Sequence, residues 1–286
     1  MSDLAVIRRA YAKQIMAAAG VGDAKIEAAF ASVPREGFLG PGPWPILRWG
    51  RGYVLSPNAD PVYLYADVLV GIDRQRELNN GQPSFHALLM SRMAPSAGDH
   101  VVHVGSGTGY FSAILAHAVG EGGRVTAIEY DARLARLAAE NLAPFPQVTV
   151  VQGDGTEVEF EPADGIYVNA GATRPADIWL DRLTPKGRLI LPLTTEKGFS
   201  AGEPEQIARR GAVFRIQRLA DRYSAKWISP VAIFPCAGMR DPDSEAALAR
   251  ALANGGWDFV KSLRRDNAVP VERCWLWADG WCLTYD

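Results

Sequence analysis

Cysteine is scarce in this chain of 286 residues: there are three, Cys236, Cys274 and Cys282, and no two of them stand in a Cys-x-x-Cys spacing. That absence excludes a zinc ribbon or a dithiol redox motif and fits reduced thiols in a cytoplasmic protein. No metal site is expected. An excess of one charge is also missing, since 30 basic and 32 acidic residues are mixed along the chain for a formal net charge of −2. Nothing in that balance gathers phosphates, so no nucleic-acid partner is expected. Long apolar runs are absent too. The opening MSDLAVIRRAYAKQIMAAAG is interrupted by Arg8, Arg9 and Lys13, which suits an amphipathic helix and not a signal peptide, and no run approaches the ~18 apolar residues of a membrane span.

What is present is the material of a globular protein, with 48% hydrophobic and 22% charged residues. The spacing predicts helices over 3–19 and 23–32. Pro34, Gly37, Gly40, Pro41, Gly42, Pro43 and Pro45 then impose a long irregular stretch, with Trp44, Trp49 and Tyr53 expected to pack it down. After Tyr65 and Asp67, the polar run DRQRELNNGQ leads to Pro83 and the helical SFHALLMSRM. From residue 100, β-rich runs alternate with helical ones: VVHV, YFSAILAHAV, RVTAIEY, ARLARLAAENL, VTVVQGD. This alternation predicts an α/β fold, a doubly wound and mostly parallel sheet covered by helices. DGIYVNAG and GRLILPL continue it, and AVFRIQRL and SPVAIFP read as edge strands. The chain accordingly divides into an N-terminal helical and loop cap (1–83), a core (84–238) and a Trp-rich C-terminal extension (239–286). In the extension, Trp257, Trp275, Trp277 and Trp281 are expected to cover the core or an oligomer contact.

Gly105, Gly107 and Gly109, in HVGSGTGYFSA, follow a predicted strand and open a predicted helix, so a ligand can lie against backbone at a helix N-terminus. Their GxGxG spacing differs from the dinucleotide GxGxxG, because the third glycine comes one place early and Tyr110 follows it. Glu129 ends the next strand, where a carboxylate can accept ribose hydroxyls, and Asp154 follows the strand after that, within reach of an adenine amino group. Singly, each of these residues is no more than a turn or a solvated strand end. In this joint order they resemble the class I S-adenosylmethionine-dependent methyltransferases. By that resemblance the cofactor is S-adenosyl-L-methionine, bound by His103, Gly105, Ser106, Gly107, Thr108, Gly109, Tyr110, Glu129, Tyr130, Asp154, Gly155 and Asn169. Many of these enzymes carry an acidic residue where His103 stands, so the histidine is read as tuning cofactor binding, outside the chemistry. Asn169 is followed by Ala170 and not by Pro-Pro-Tyr, which argues against methylation of adenine or glutamine nitrogen.

Further blocks are similar to the protein-L-isoaspartate O-methyltransferase family: VPREGF (33–38), Tyr65 with Asp67, NNGQPSFHALLMSRM, VGSGTGYFSAILA, ADGIYVNAGA and LTPKGRLILPL, over roughly residues 25–238 in family order. The resemblance implies methyl transfer to a carboxylate, that of an L-isoaspartyl residue in a protein or peptide, as in protein repair. It places the acceptor at Asn80, Gly81, Gln82, Pro83 and Ser84. One departure stands out. The family's Ser or Thr beside the substrate carboxylate falls on Gly81, which leaves Ser84 or Asn80 to supply a donor and makes Gly81→Ser expected to raise isoaspartyl methylation. Two alternatives stay open: methylation of a different small-molecule or peptide carboxylate, and a cofactor-binding protein that has lost catalysis. A carboxylate is already ionised at neutral pH, so no catalytic side chain is named. The partner is a protein or peptide substrate with a free carboxylate or a small carboxylic acid, with no membrane partner, and the chain is expected as a monomer or as a dimer through its extension.

Overall fold

The two N-terminal helices form where the spacing places them, α1 at Asp3–Ala19 and α2 at Ala24–Ser32, in a computed structural model that describes residues 3–48, 50–73, 75–76, 78–195 and 210–286. α1 buries Tyr11, Ala12, Ile15 and Met16, a stripe at helical spacing. α2 begins at Asp23, whose carboxylate accepts from the N–H groups of Lys25 (3.1 Å) and Ile26 (3.3 Å) and so satisfies donors with no partner inside the helix. The chain packs as two compact units, Met1–Asp99 with Ser106–Gln152, and His100–Gly105 with Gly153–Asp286.

In the first unit, two short hairpins occupy stretches that read as irregular or merely polar. β1 (Pro45–Arg48) pairs antiparallel with β2 (Gly52–Leu55), and β3 (Gly71–Asp73) with β4 (Leu78–Asn79). Trp44 is buried with Ile46, Leu64 and Val70, which packs the first hairpin down as expected; Trp49 lies outside the described residues. α3 (Pro83–Met93) follows. β5 (His100–Val104) belongs to the second unit, after which α4 (Tyr110–Val119), β6 (Arg124–Glu129), α5 (Ala132–Leu142) and β7 (Val148–Gln152) return to the first. β6 and β7 are parallel, in register from Val125↔Val148 to Glu129↔Gln152. The strand and helix ends thus stand at Glu129 and at the glycine loop.

Arg35, from the VPREGF block, is fully buried in this unit. Its guanidinium donates to the carbonyl oxygens of Leu64 (2.7 Å), Ala66 (3.1 Å) and Val68 (2.7 Å) and to Asn80 Oδ1 (3.1 Å). A buried cation is tolerable here because oxygen dipoles replace its lost water. The consequence is that residues 64–68 and Asn80 are tied to one fixed point.

The second unit continues with β8 (Ala163–Val168), α6 (Asp177–Asp181), β9 (Leu183–Thr194), β10 (Gly211–Leu219), β11 (Arg222–Pro230), α7 (Pro242–Asn254), β12 (Ser262–Arg264), β13 (Cys274–Ala278) and β14 (Trp281–Thr284). Its strands run in the order β13-β14-β12-β11-β10-β9-β8-β5. β5, β8 and β9 are parallel, and from β9 outward every pairing is antiparallel. The strand expected over SPVAIFP (229–235) stops at Pro230; the pairing partner of β10 is the preceding RYSAKWISP, because proline lacks the N–H a ladder needs. The residues beyond 238 extend the sheet: β12 pairs with β11 and β14 with β12. Trp275 and Trp281 are buried in this unit, whereas Trp277 is 40% exposed. Among the described residues no helix is long and apolar enough to cross a membrane.

Candidate functional site

The glycine loop runs from the end of β5 to the start of α4, and Gly105, Gly107 and Gly109 all have positive φ, at 77°, 59° and 95°. Within the first unit, Gly107 N–H donates to Glu129 Oε2 at 2.7 Å and Asp131 N–H donates to Oε1 at 3.0 Å. Glu129, only 8% exposed, is therefore aimed at the loop with each oxygen anchored once. An ionised carboxylate offers about four acceptor positions, so capacity for two hydroxyl donors remains. Burial pushes the Glu129 carboxyl above its usual range, and the two backbone donors oppose that shift. Around Gly107 a Cβ would meet nothing within 4 Å, and the buried Ser106 hydroxyl has no hydrogen-bond partner among the described residues. Open space, an orphaned hydroxyl and a carboxylate with spare capacity fit the ribose end of a nucleoside cofactor.

The other expected loop contacts divide. Thr108 is held by Asn141, whose Nδ2 donates to its carbonyl at 2.9 Å, and Tyr130 is 60% exposed. Tyr110 is different. It is 2% exposed and packs edge-on against Phe30 and Phe38, so its ring belongs to the core.

The expected acceptor loop shows a carboxylate that the sequence reading did not assign. Asp67 Oδ1 accepts from Ser84 N–H (2.8 Å), and Oδ2 accepts from Ser84 Oγ–H (2.6 Å) and Gln82 Nε2 (2.9 Å). Pro83 opens α3, and Gln82 at the cap position makes no capping bond of its own. A residue from another loop therefore caps the helix. The hydroxyl of Ser84, one of the two donors expected for an acceptor, is already engaged. Asn80 remains. Its Oδ1 accepts from Arg35 and from Val70 N–H (3.1 Å), while its buried Nδ2 has no partner among the described residues. Asn79 Oδ1 accepts from Gly81 N–H at 2.9 Å.

Gly81 has φ 77°, and a Cβ placed on it would stand 2.1 Å from His86 Nε2. The His86 ring lies flat on Phe111, with centroids 3.5 Å apart and an interplanar angle of 12°, so it has little freedom to yield. This overturns the expectation that Gly81→Ser simply restores a missing hydroxyl. His86 faces the loop from the first turn of α3, five places on. In the sequence it was one unmarked polar residue inside an apolar helix, and only backbone geometry reveals its place.

In the second unit, Asn169 N–H donates to the Val104 carbonyl (2.8 Å) and its Nδ2 to that of Gly105 (3.3 Å), so Asn169 secures the end of β5. Asp154 Oδ1 accepts from the N–H (2.9 Å) and the hydroxyl (2.8 Å) of Thr156. The fully buried Trp179 donates through Nε1 to the Gly155 carbonyl at 2.7 Å. Sequence reasoning missed Gly238: a Cβ there would lie 2.0 Å from Asp154 Oδ2, so only a glycine lets this backbone approach the carboxylate.

His103 is fully buried in β5, with the Tyr167 ring centroid 5.3 Å away. It offers no exposed surface to a ligand. Burial pushes its pKa down to about 3. A histidine that is harder to protonate folded than unfolded contributes stability above its unfolded pKa, and that stability is lost as pH falls from ~6.5 toward 3. Between pH 7 and 5 the loss is about 2 kcal/mol. His103→Asn is expected to remove this slope, as denaturant titrations at the two pH values will show; an unchanged slope would contradict it.

A family model described as protein-L-isoaspartate(D-aspartate) O-methyltransferase matches residues 52–217. The protein-L-isoaspartate O-methyltransferase of Rhodopseudomonas palustris is 30% identical over 240 residues, which is 82% of this chain and 96% of that protein. That of Thermotoga maritima is 35% identical over 180 residues, 61% of this chain but 51% of its own length. The chain thus spans about half the length of the Thermotoga relative and, likewise at 51%, of one from Aeropyrum pernix. Among solved structures, a protein-L-isoaspartate O-methyltransferase superposes with TM-score 0.64 at 24% identity, covering 90% of this chain and 71% of its own. One described as a putative Plasmodium falciparum protein-L-isoaspartate O-methyltransferase, in complex with S-adenosyl-L-homocysteine, superposes with TM-score 0.60 at 16% identity, covering 80% and 97%. The fold is the α/β fold of class I S-adenosylmethionine-dependent methyltransferases. With the family model covering more than half of the sequence and a relative matched over nearly its whole length, the chain belongs to the protein-L-isoaspartate O-methyltransferase family.

Proposed function

We propose that this chain methylates the free carboxylate of L-isoaspartyl residues in proteins or peptides, using S-adenosyl-L-methionine. The observation that carries the reading is the buried Glu129 carboxylate, fixed by Gly107 N–H beside open backbone and suited to accept the two hydroxyls of a ribose. Gly107, Ser106 and Glu129, all in the first unit, are the residues that would hold the ribose end of the cofactor. When bound, the cofactor supplies a methyl group activated by its sulfonium. The protein's own part is binding and alignment, because the acceptor carboxylate titrates near ~4 and needs no base. Asn80 Nδ2, oriented by Arg35 and Val70, is the donor for that carboxylate. One observation favours a second reading, a different carboxylate as acceptor: Gly81 and His86 fill the place of the family's hydroxyl. The first reading is tested by calorimetric titration with S-adenosylmethionine followed by transfer of labelled methyl to an isoaspartyl peptide, scored as base-labile ester. Saturable binding and ester formation are expected. Absence of binding would overturn the whole reading, and binding without ester would leave a cofactor-binding protein.

A further inference from the structure

Beside the acceptor loop, the first unit holds a cleft of about 480 Å³ whose lining includes the apolar Leu47 and Leu69, the cationic Arg48 and Arg51, and Asp67 and Gln82. Its walls are fixed. Leu47 N–H donates to the Leu69 carbonyl at 2.9 Å, and Ile46 bridges Val70, so the β1–β2 hairpin is bound to the chain that leads into the acceptor loop. The charges are uneven. The Asp67 carboxylate is engaged by Ser84 and Gln82, whereas among the described residues neither Arg48 nor Arg51 is in an ion pair. A volume of this size admits one or two amino-acid side chains beyond the reacting residue.

We propose that this cleft is a subsite for acidic side chains flanking the methyl acceptor, with Arg48 and Arg51 as the specificity-determining residues. The proposal rests on the acceptor reading for the location of the reacting carboxylate, because Gln82 belongs both to that loop and to the cleft. Guanidinium N–H groups donate bidentately to carboxylates, and the apolar Leu47 and Leu69 take the methylene stems. The substrate class is a peptide with glutamate or aspartate next to the isoaspartyl residue.

The test compares an isoaspartyl peptide flanked by glutamates with its twin flanked by glutamines, by fluorescence anisotropy and by methyl transfer. Wild-type protein is expected to bind the glutamate peptide about tenfold more tightly at low salt, and the preference is expected to shrink as ionic strength rises. Replacing both arginines (Arg48→Gln with Arg51→Gln) is expected to bring the ratio to within about twofold. Equal binding of the two peptides by wild-type protein would overturn the subsite, and so would a preference that survives in the double variant. The salt series on wild-type protein gives the answer even if that variant folds poorly. Failure of the acceptor reading is seen separately: an arginine-dependent preference with no methyl transfer to either peptide keeps the subsite and discards the acceptor. Methyl transfer without preference does the reverse.

Discussion

Glu129→Ala is expected to weaken S-adenosylmethionine binding by about 2–3 kcal/mol, roughly 30- to 150-fold, because hydrogen bonds to a charged acceptor are the strong ones and the ribose would face a buried void. The carboxylate also anchors the loop, and its removal strands Gly107 N–H and Asp131 N–H. Acid separates binding from folding. The Glu129 carboxyl is pushed above its usual range by burial, so it protonates at a higher pH than an exposed glutamate. A raised carboxyl pKa means that the charged form is the costly one in the folded state. Protonation therefore relieves a folding cost while it removes acceptor capacity from the ligand. Cofactor affinity is expected to fall on acidification while the contribution of this residue to stability rises. Glu129→Gln should show weak binding with no such acid limb. Calorimetry at several pH values measures both; equal affinity in the Ala variant, or the same acid limb in the Gln variant, would contradict the assignment.

Gly81→Ser is expected to destabilise the protein by about 2–5 kcal/mol, and isoaspartyl turnover is not expected to rise. Two costs add: a non-glycine residue in the left-handed region costs ~1–2 kcal/mol, and overpacking a filled site costs ~1–3 kcal/mol. Both arise from the same geometry, φ 77° and a Cβ 2.1 Å from His86 Nε2. Combining Gly81→Ser with His86→Ala should recover the overpacking part and leave the backbone part, a coupling that a double-mutant cycle in denaturant will read. Additive losses would show that His86 does not oppose the substitution. A single Gly81→Ser variant with wild-type stability and faster turnover would restore the simple view, that this position merely lost a hydroxyl.

What the sequence disclosed follows from what leaves a one-dimensional trace. Helices α1 and α2 announced themselves by apolar period, and the parallel strands by the alternation of β-rich and helical runs. Gly107 and Glu129 were each legible as candidates because both sit at the ends of regular elements, whereas the hydrogen bond between them was not. The β1–β2 and β3–β4 hairpins were not, since strands of two to four residues among prolines, glycines and charges carry no period. The partners of Asp67, the four acceptors of Arg35 and the approach of Gly238 to Asp154 join residues far apart in sequence. Nothing local marks them. Tyr110 misled for the opposite reason: it adjoins the loop in sequence, but the first turn of α4 sends its ring into the aromatic core.

The most direct measurement is the initial rate of labelled methyl transfer to an isoaspartyl peptide beside its aspartyl twin, at saturating S-adenosylmethionine. The isoaspartyl peptide is expected to react at least about tenfold faster, because a site that holds one carboxylate in line loses alignment when the backbone is displaced by a methylene. Equal rates, or a faster aspartyl peptide, would contradict isoaspartyl methylation as the activity of this chain.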